Sequence, residues 1–164
     1  DYKIPITIEM LHELSSIKNI EAIKESSRDI TYLTRLRIEF ADRYKILSGV
    51  DNLALESLMM GADGWVAGLV CAFPAETVAI YRLSKAKRYD EALAIYRWFI
   101  PVLELDVHPK LVQYIKFAES LTGLGTEFVR APRLILEGAE RAKVKKIVSE
   151  AIAVRPALPD YLSL

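Results

Sequence analysis

Apolar and polar positions alternate between two rhythms over the first seventy-odd residues. Across 6–16, Ile8, Leu11 and Leu14 recur at helical spacing behind Thr7, a side chain suited to cap a helix, with Glu9 in the first turn. The run 20–24 (Ile-Glu-Ala-Ile-Lys) is short and apolar, and it predicts a strand ending at Lys24. Asp29 then opens a helix with Leu33, Leu36 and Phe40 on one face. Residues 44–49 predict a second strand closed by Gly49. Asp51 or Asn52 caps a helix carrying Leu53, Leu55, Leu58 and Met59, which stops at Gly61. Residues 64–68, bounded by Gly64 and Gly68, predict a third strand. Helix and strand thus alternate at a spacing of roughly 20 residues, the rhythm of parallel βα units.

Beyond Pro74 the strand signals stop. Helices are predicted over 76–86, 89–105, 110–122 and 136–153, punctuated by Gly123, Gly125 and Pro132 and followed by an extended, proline-bearing tail at 155–159. Tyr81, Tyr96, Trp98, Phe99, Tyr114 and Phe117 sit at helical spacings and read as core or subunit packing. Three parallel strands alone leave open edges and inward side chains with nothing to pack on. The predicted fold is therefore α/β: the C-terminal part of a (β/α)8 TIM barrel, about three βα units, followed by a C-terminal helical extension. Residues 1–74 carry the βα units and 75–164 the last barrel helix and the helical region. An intact barrel takes about 250 residues, so an N-terminal barrel half is expected on further sequence. A first residue of Asp rather than Met fits that expectation.

Composition removes several classes of function. The chain has 164 residues, 52% hydrophobic and 27% charged, enough for a real core. Lys plus Arg and Asp plus Glu number 22 each, so no bulk charge draws nucleic acid or an anionic membrane. Two His and one Cys exclude a disulfide framework and argue against a zinc site, and no metal or cofactor is expected. Cys71 reads as a small buried hydrophobe. The longest apolar stretch, 64–75, is too short to span a bilayer and is broken by glycine and proline. With no leader pattern, a cytoplasmic location is expected.

Lys24 carries the chemistry. Barrel sites sit at the C-terminal ends of the strands, and alternation puts Ile20, Ala22 and Lys24 on one face. An amine above apolar layers resists protonation and becomes a nucleophile for a carbonyl or cyclic imine. Ser48, Gly49, Val66 and Gly68 end the neighbouring strands on the same rim, and the glycines let a substrate approach the backbone. Glu25 points away from a pocket that Lys24 faces. Ser26 and Ser27 read as bonding the turn backbone, His108 beside Pro109 as a helix boundary, and Arg141, Lys143, Lys145 and Lys146 as a solvated helix face.

These segments resemble a known family. Residues 20–27 (Ile-Glu-Ala-Ile-Lys-Glu-Ser-Ser) resemble the Schiff-base lysine segment of the dihydrodipicolinate synthase / N-acetylneuraminate lyase family. Residues 47–51 (Leu-Ser-Gly-Val-Asp) resemble its next strand end, and 61–68 (Gly-Ala-Asp-Gly-Trp-Val-Ala-Gly) its last barrel strand. Order and spacing match over essentially the whole chain. Within the family, the stretches 64–70, 72–74, 94–99, 125–127 and 129–134 are most similar to the 1-pyrroline-4-hydroxy-2-carboxylate deaminases of bacterial hydroxyproline breakdown. Where dihydrodipicolinate synthases carry an Asn-Pro-(Ile/Val)-Pro-like stretch, this chain has Val107-His108-Pro109-Lys110.

The resemblance implies a Schiff-base lyase or deaminase acting through Lys24 on a small 2-keto acid or cyclic imine, without cofactor, in a homo-oligomer, commonly a tetramer. It places a proton-relay Tyr and a Thr-Thr carboxylate cradle on earlier strands; Tyr2 and Tyr44 do not match that position. The alternatives are a 4-hydroxy-tetrahydrodipicolinate synthase, a related 2-keto-acid aldolase or dehydratase, and, from another class, an inactive half-barrel serving as a binding or assembly module.

Overall fold

The structure, a computed structural model, describes residues 6–164; Tyr2 lies outside the described residues. Its sheet has three parallel strands in the order β1-β2-β3: β1 (Ala22–Glu25), β2 (Lys45–Ser48) and β3 (Gly64–Trp65). Lys24 stands opposite Leu47, and Leu47 opposite Gly64; Glu25 stands opposite Ser48, and Ser48 opposite Trp65. The third strand is shorter than the predicted 64–68, because the chain leaves the ladder once the Val66 amide has bonded the Ser48 carbonyl (2.8 Å).

Helices α1 (Ile8–Leu14), α2 (Ile30–Phe40) and α3 (Ala54–Met59) accompany the strands. Thr7 caps α1 by accepting from the Met10 amide, and Asp29 caps α2 by accepting from the Thr31 amide, as their sequence positions predict. Gly61, at φ +100°, ends α3 in a conformation that glycine adopts without steric cost. The Arg43 guanidinium closes the α1–β1 connection, donating to the Ser15, Ile17 and Ile20 carbonyls. Arg37 anchors α2 to the sheet through Asp63 (2.6 Å), whose carboxylate also accepts from the Ile46 amide. Leu33, Leu36, Tyr44, Ile46 and Leu58 form the buried cluster beneath this half.

Four longer helices follow: α4 (Pro74–Lys85), α5 (Tyr89–Leu103), α6 (Leu111–Thr122) and α7 (Gly138–Ala153). Pro74 begins α4 at a position where its missing N–H costs nothing. The predicted 89–105 helix stops early. Pro101 offers no N–H in its last turn, and the chain tightens into a 3-10 turn, Glu104–Val107. The larger core gathers here around Phe73, Ile80, Phe99, Leu103 and Phe117. The aromatic set packs as predicted, with Tyr96 and Tyr114 also buried. Tyr96 donates to Glu56 and Trp98 to the Ala151 carbonyl. The Tyr96 hydroxyl is held far above its ordinary pKa by burial and by the Glu56 charge.

Glu76 is almost completely buried on α4 and pairs with Arg155, which pins the start of the extended tail. No helix among the described residues is long and apolar enough to cross a membrane.

Three expectations are corrected. Cys71 is exposed, because Leu69 and Ala72 take the inward positions of the Leu69–Cys71 3-10 turn. Partial desolvation and the nearby Glu119 charge push its thiol pKa up, away from a reactive thiolate. Arg141 leaves the solvated face to pair with Glu127 and lies 4.0 Å over the Phe117 ring, while Lys143, Lys145 and Lys146 stay exposed. Asp51 is not a side-chain cap of α3; Leu53 occupies the cap position.

Asp51 serves instead as a clamp. It is fully buried in a 3-10 turn (Asp51–Leu53) after β2. Its carboxylate accepts from Trp65 Nε1 (3.0 Å) and from the Gly68 (3.0 Å) and Leu69 (2.8 Å) amides. One side chain thereby fixes the segment after β3 to the end of β2.

Two stability predictions follow from these buried carboxylates. Replacing Asp51 by Ala strands three donors and is expected to cost about 3 kcal/mol in urea unfolding. A loss below about 1 kcal/mol would show that water replaces the clamp. Arg155→Ala leaves Glu76 buried and unpaired, with an expected loss of about 3 kcal/mol; Glu76→Gln in the same background should recover most of it.

Candidate active site

Lys24 is the third residue of β1 and sits at its C-terminal end. Ala22 and Lys24 are exposed on the inner face of the sheet, whereas Glu25 is buried on the other. The alternation predicted from sequence thus aims the amine away from the helices. The lysine stem lies over Gly49: a Cβ there would stand 2.6 Å from Lys24 Cε and 2.8 Å from Cγ, and would also strike the Ser26 hydroxyl. Any side chain at position 49 would displace the lysine.

The turn after Lys24 is knitted internally and to β2. The Glu25 carboxylate accepts from the Ser27 amide (2.5 Å), and Ser27 Oγ from the Asp29 amide (3.2 Å). Ser26 donates to the Gly49 carbonyl, and the Gly49 amide to the Glu25 carbonyl (2.7 Å). These are the backbone roles predicted for Ser26 and Ser27. Arg28 follows at φ +68°, a conformation uncommon for a non-glycine residue, and donates to the Val107 carbonyl (3.2 Å).

The remaining rim residues fall into different environments. Ser48 is buried and shares the helix-facing side with Glu25, so it meets the rim through its backbone. Val66 is 44% exposed just beyond β3. An apolar recess between β3 and α4 is lined by Leu47, Gly64, Trp65, Val66, Val78 and Tyr81. Gly68 gives its amide to Asp51, and the space of its missing Cβ is filled by the Asp106 carboxylate and by Ile115 of α6. His108 stacks on Tyr114 (4.4 Å) and accepts from the Lys110 amide, the boundary role its place beside Pro109 predicts. Tyr44 is buried and donates to the Leu11 carbonyl, a structural role.

Two acids close to Gly68, Asp51 and Asp106, escaped sequence reasoning as site residues. Burial raises the Asp51 carboxyl pKa, against the Leu69 and Gly68 amides, the Trp65 indole and the Lys24 charge. Burial and the Asp51 charge push Asp106 up to about 6, while the Asp51 amide and the charges of Lys24 and Arg28 pull it back. The available sequence signal was indirect: two glycines with no turn to make, each leaving room for a side chain distant in sequence. The strand ends thus carry a primary amine on an open face over Gly49 and two carboxyl groups against Gly68. An amine so placed can add to a carbonyl carbon, and a carboxyl group titrating near neutrality can exchange protons.

Known proteins resemble this chain in sequence and fold. The family model for the dihydrodipicolinate synthetase family matches residues 2–151. A 4-hydroxy-tetrahydrodipicolinate synthase 2 of Clostridium acetobutylicum is 28% identical over 157 residues, covering 90% of this chain and 54% of the relative. The 4-hydroxy-tetrahydrodipicolinate synthase of Exiguobacterium sibiricum is 31% identical over 136 residues, covering 81% of this chain and 44% of the relative. The solved 4-hydroxy-tetrahydrodipicolinate synthase of Methylacidiphilum fumariolicum SolV superimposes with a TM-score of 0.81 at 27% identity, over 90% of this chain and 50% of that one. The chain spans about half the length of the curated relatives it matches. Its α/β fold is that of part of a parallel barrel with a helical C-terminal region, and the chain belongs to the dihydrodipicolinate synthetase family.

Proposed function

We propose that this chain supplies the Schiff-base half of a lyase that acts on a small 2-keto acid or cyclic imine, with Lys24 as the nucleophile. The observation that carries this reading is the seat of Lys24: a strand-end amine on the inner face of a parallel sheet, its stem passing through the gap left by Gly49. The amine adds to C2 of the substrate and leaves a protonated imine. That iminium acidifies the C3–H, because the electron pair left by the departing proton delocalises as an enamine. Val66 offers an apolar wall on the rim and Ser48 its main chain. The space beside Gly49 is taken by Lys24 and Ser26 and that beside Gly68 by Asp106 and Ile115, so the backbone approach expected at these glycines is closed.

For the substrate we favour 1-pyrroline-4-hydroxy-2-carboxylate, on the resemblance of residues 64–70, 72–74, 94–99, 125–127 and 129–134 and on Val107-His108-Pro109-Lys110. Addition of Lys24 at C2 breaks the ring C–N bond and frees the C5 amine. Loss of the C3 proton and of the C4 hydroxyl as water gives an unsaturated chain. Tautomerisation moves unsaturation to C5, and hydrolysis there releases ammonia. A second hydrolysis frees Lys24 and 2,5-dioxopentanoate, so the net reaction consumes one water. The names of the relatives favour a second reading, condensation of pyruvate with aspartate semialdehyde by a 4-hydroxy-tetrahydrodipicolinate synthase. Exposed Phe128 and Leu134 on the 125–137 segment are read as contacts between copies in a homo-oligomer.

The test uses the full-length protein that contains this chain. Borohydride reduction in the presence of pyruvate is expected to give one covalent adduct mapping to Lys24, absent in Lys24→Arg. An intact mass without adduct would leave the binding-module reading in its place. Ammonia release from 1-pyrroline-4-hydroxy-2-carboxylate, at least tenfold faster than the condensation, would fix the deaminase; the reverse ratio would fix the synthase.

A further inference from the structure

We propose that Arg28 is a positioning residue: it ties the turn that follows Lys24 to the helical region and thereby holds the lysine stem in its seat over Gly49. This rests on the reading of Lys24 as the Schiff-base amine and adds a part that the helical region plays in it.

Arg28 has a φ of +68°. Glycine takes this conformation without steric cost, and among other residues asparagine and aspartate take it most readily. The long side chain of an arginine gives no such ease, and the angle is imposed by bonds on either side. Ser27 Oγ accepts from the Asp29 amide (3.2 Å), bridging over residue 28, and Asp29 accepts from the Thr31 amide (2.9 Å) at the start of α2. Strained residues persist where the surroundings over-determine them, and they gather at functional sites.

The Arg28 guanidinium leaves the βα units and donates to the Val107 carbonyl (3.2 Å), 79 positions along the chain. Among the described residues this is the one hydrogen bond that joins the 25–29 turn to the helical region. Its far end is a fixed point. Leu105 is buried in the larger core, and the Asp106 carboxylate and Ile115 fill the space beside Gly68.

Its near end reaches the lysine through direct contacts. The Glu25 carboxylate accepts from the Ser27 amide (2.5 Å), and Ser26 donates to the Gly49 carbonyl (3.3 Å). Ser26 Oγ and the Lys24 stem lie together in the space that a Cβ at Gly49 would take. A shift of the turn therefore moves Ser26 against the stem. An amine that must meet a carbonyl carbon loses rate steeply when it is misplaced.

The experiment compares three forms of the full-length protein that contains this chain. Arg28→Asn accepts the backbone angle but is too short to reach Val107, and Arg28→Lys keeps the charge and a donor. Trapping of Lys24 with pyruvate and borohydride is followed in a single turnover across pyruvate concentrations. Arg28→Asn is expected to lower the maximal trapping rate about tenfold. Half-saturating pyruvate should stay unchanged, and the urea midpoint should equal or exceed that of wild type. Arg28→Lys should recover most of the rate. An unchanged maximal rate overturns the proposal, and a raised half-saturating concentration in its place would make Arg28 a substrate contact. Should Arg28→Asn not fold, Arg28→Gly, which adopts this φ without cost, takes its place.

Hydrogen exchange of the 25–29 amides needs no Schiff-base chemistry. Arg28→Asn is expected to speed it about fivefold and to leave the α2 peptide unchanged; equal rates overturn the tie. If wild-type protein forms no borohydride adduct, the Schiff-base reading fails, and the exchange rates alone decide whether Arg28 holds the turn.

Discussion

The site depends on one buried carboxylate. Asp51 has lost all contact with solvent, and it is tolerated there because the Trp65 indole and the Gly68 and Leu69 amides all donate to it. Those donors lie on Trp65 of β3 and on the segment that leaves it, and β3 has only two ladder residues. Backbone pairing alone would leave that segment free to swing away from β2. The clamp instead returns it across the sheet and sets where Gly68 lies, and hence where the helical region can touch the rim.

The lysine is placed by a different logic. Parallel register fixes which residues share a face, and a one-residue slip would send Lys24 among the helices and Glu25 to the open side. Register here is secured by burial. Ile46 and Ser48 must face the helices, and Tyr44, just before the strand, is anchored through its hydroxyl to Leu11. Gly49 then acts at the next level. The sheet decides the side of Lys24, and the absent side chain at position 49 decides the path of its stem.

Sequence reading captured what periodicity encodes. Thr7 and Asp29 as caps, Gly61 as a stop, the inward face of β1 and the order of helix and strand all follow from local patterns of short range. The errors share a cause in long-range geometry. Asp51 followed a strand and preceded a helix, so it looked like a cap; its partners lie up to eighteen positions downstream, beyond any local rule. Asp106 had no signal of its own, because its meaning comes from Gly68, distant in the chain, whose missing side chain leaves it room. Cys71 was misplaced because a 3-10 turn has a tighter period than the α-helix and rotates different residues inward. Arg141 read as one more solvated cation, and only the fold brings it over Phe117 beside Glu127.

These two kinds of information meet at the rim. The βα units can aim an amine with local sequence alone, but they cannot surround it with charge. A strand end presents backbone, and the helix-facing side chains are needed for the core. The acids come from connections: Asp51 from the turn after β2, and Asp106 from the break between α5 and α6. Burying a carboxyl group is unfavourable and raises the pKa of each, and for Asp106 the Asp51 charge adds to the rise. The arrangement persists because one of them is held by three hydrogen-bonding groups and the turn that carries the other is tied down by Arg28 at the Val107 carbonyl. The helical region is thus bound to the strand-end rim by polar contacts as well as by packing, through Asp106 and Ile115 at Gly68 and through the Arg28 bond to the Val107 carbonyl.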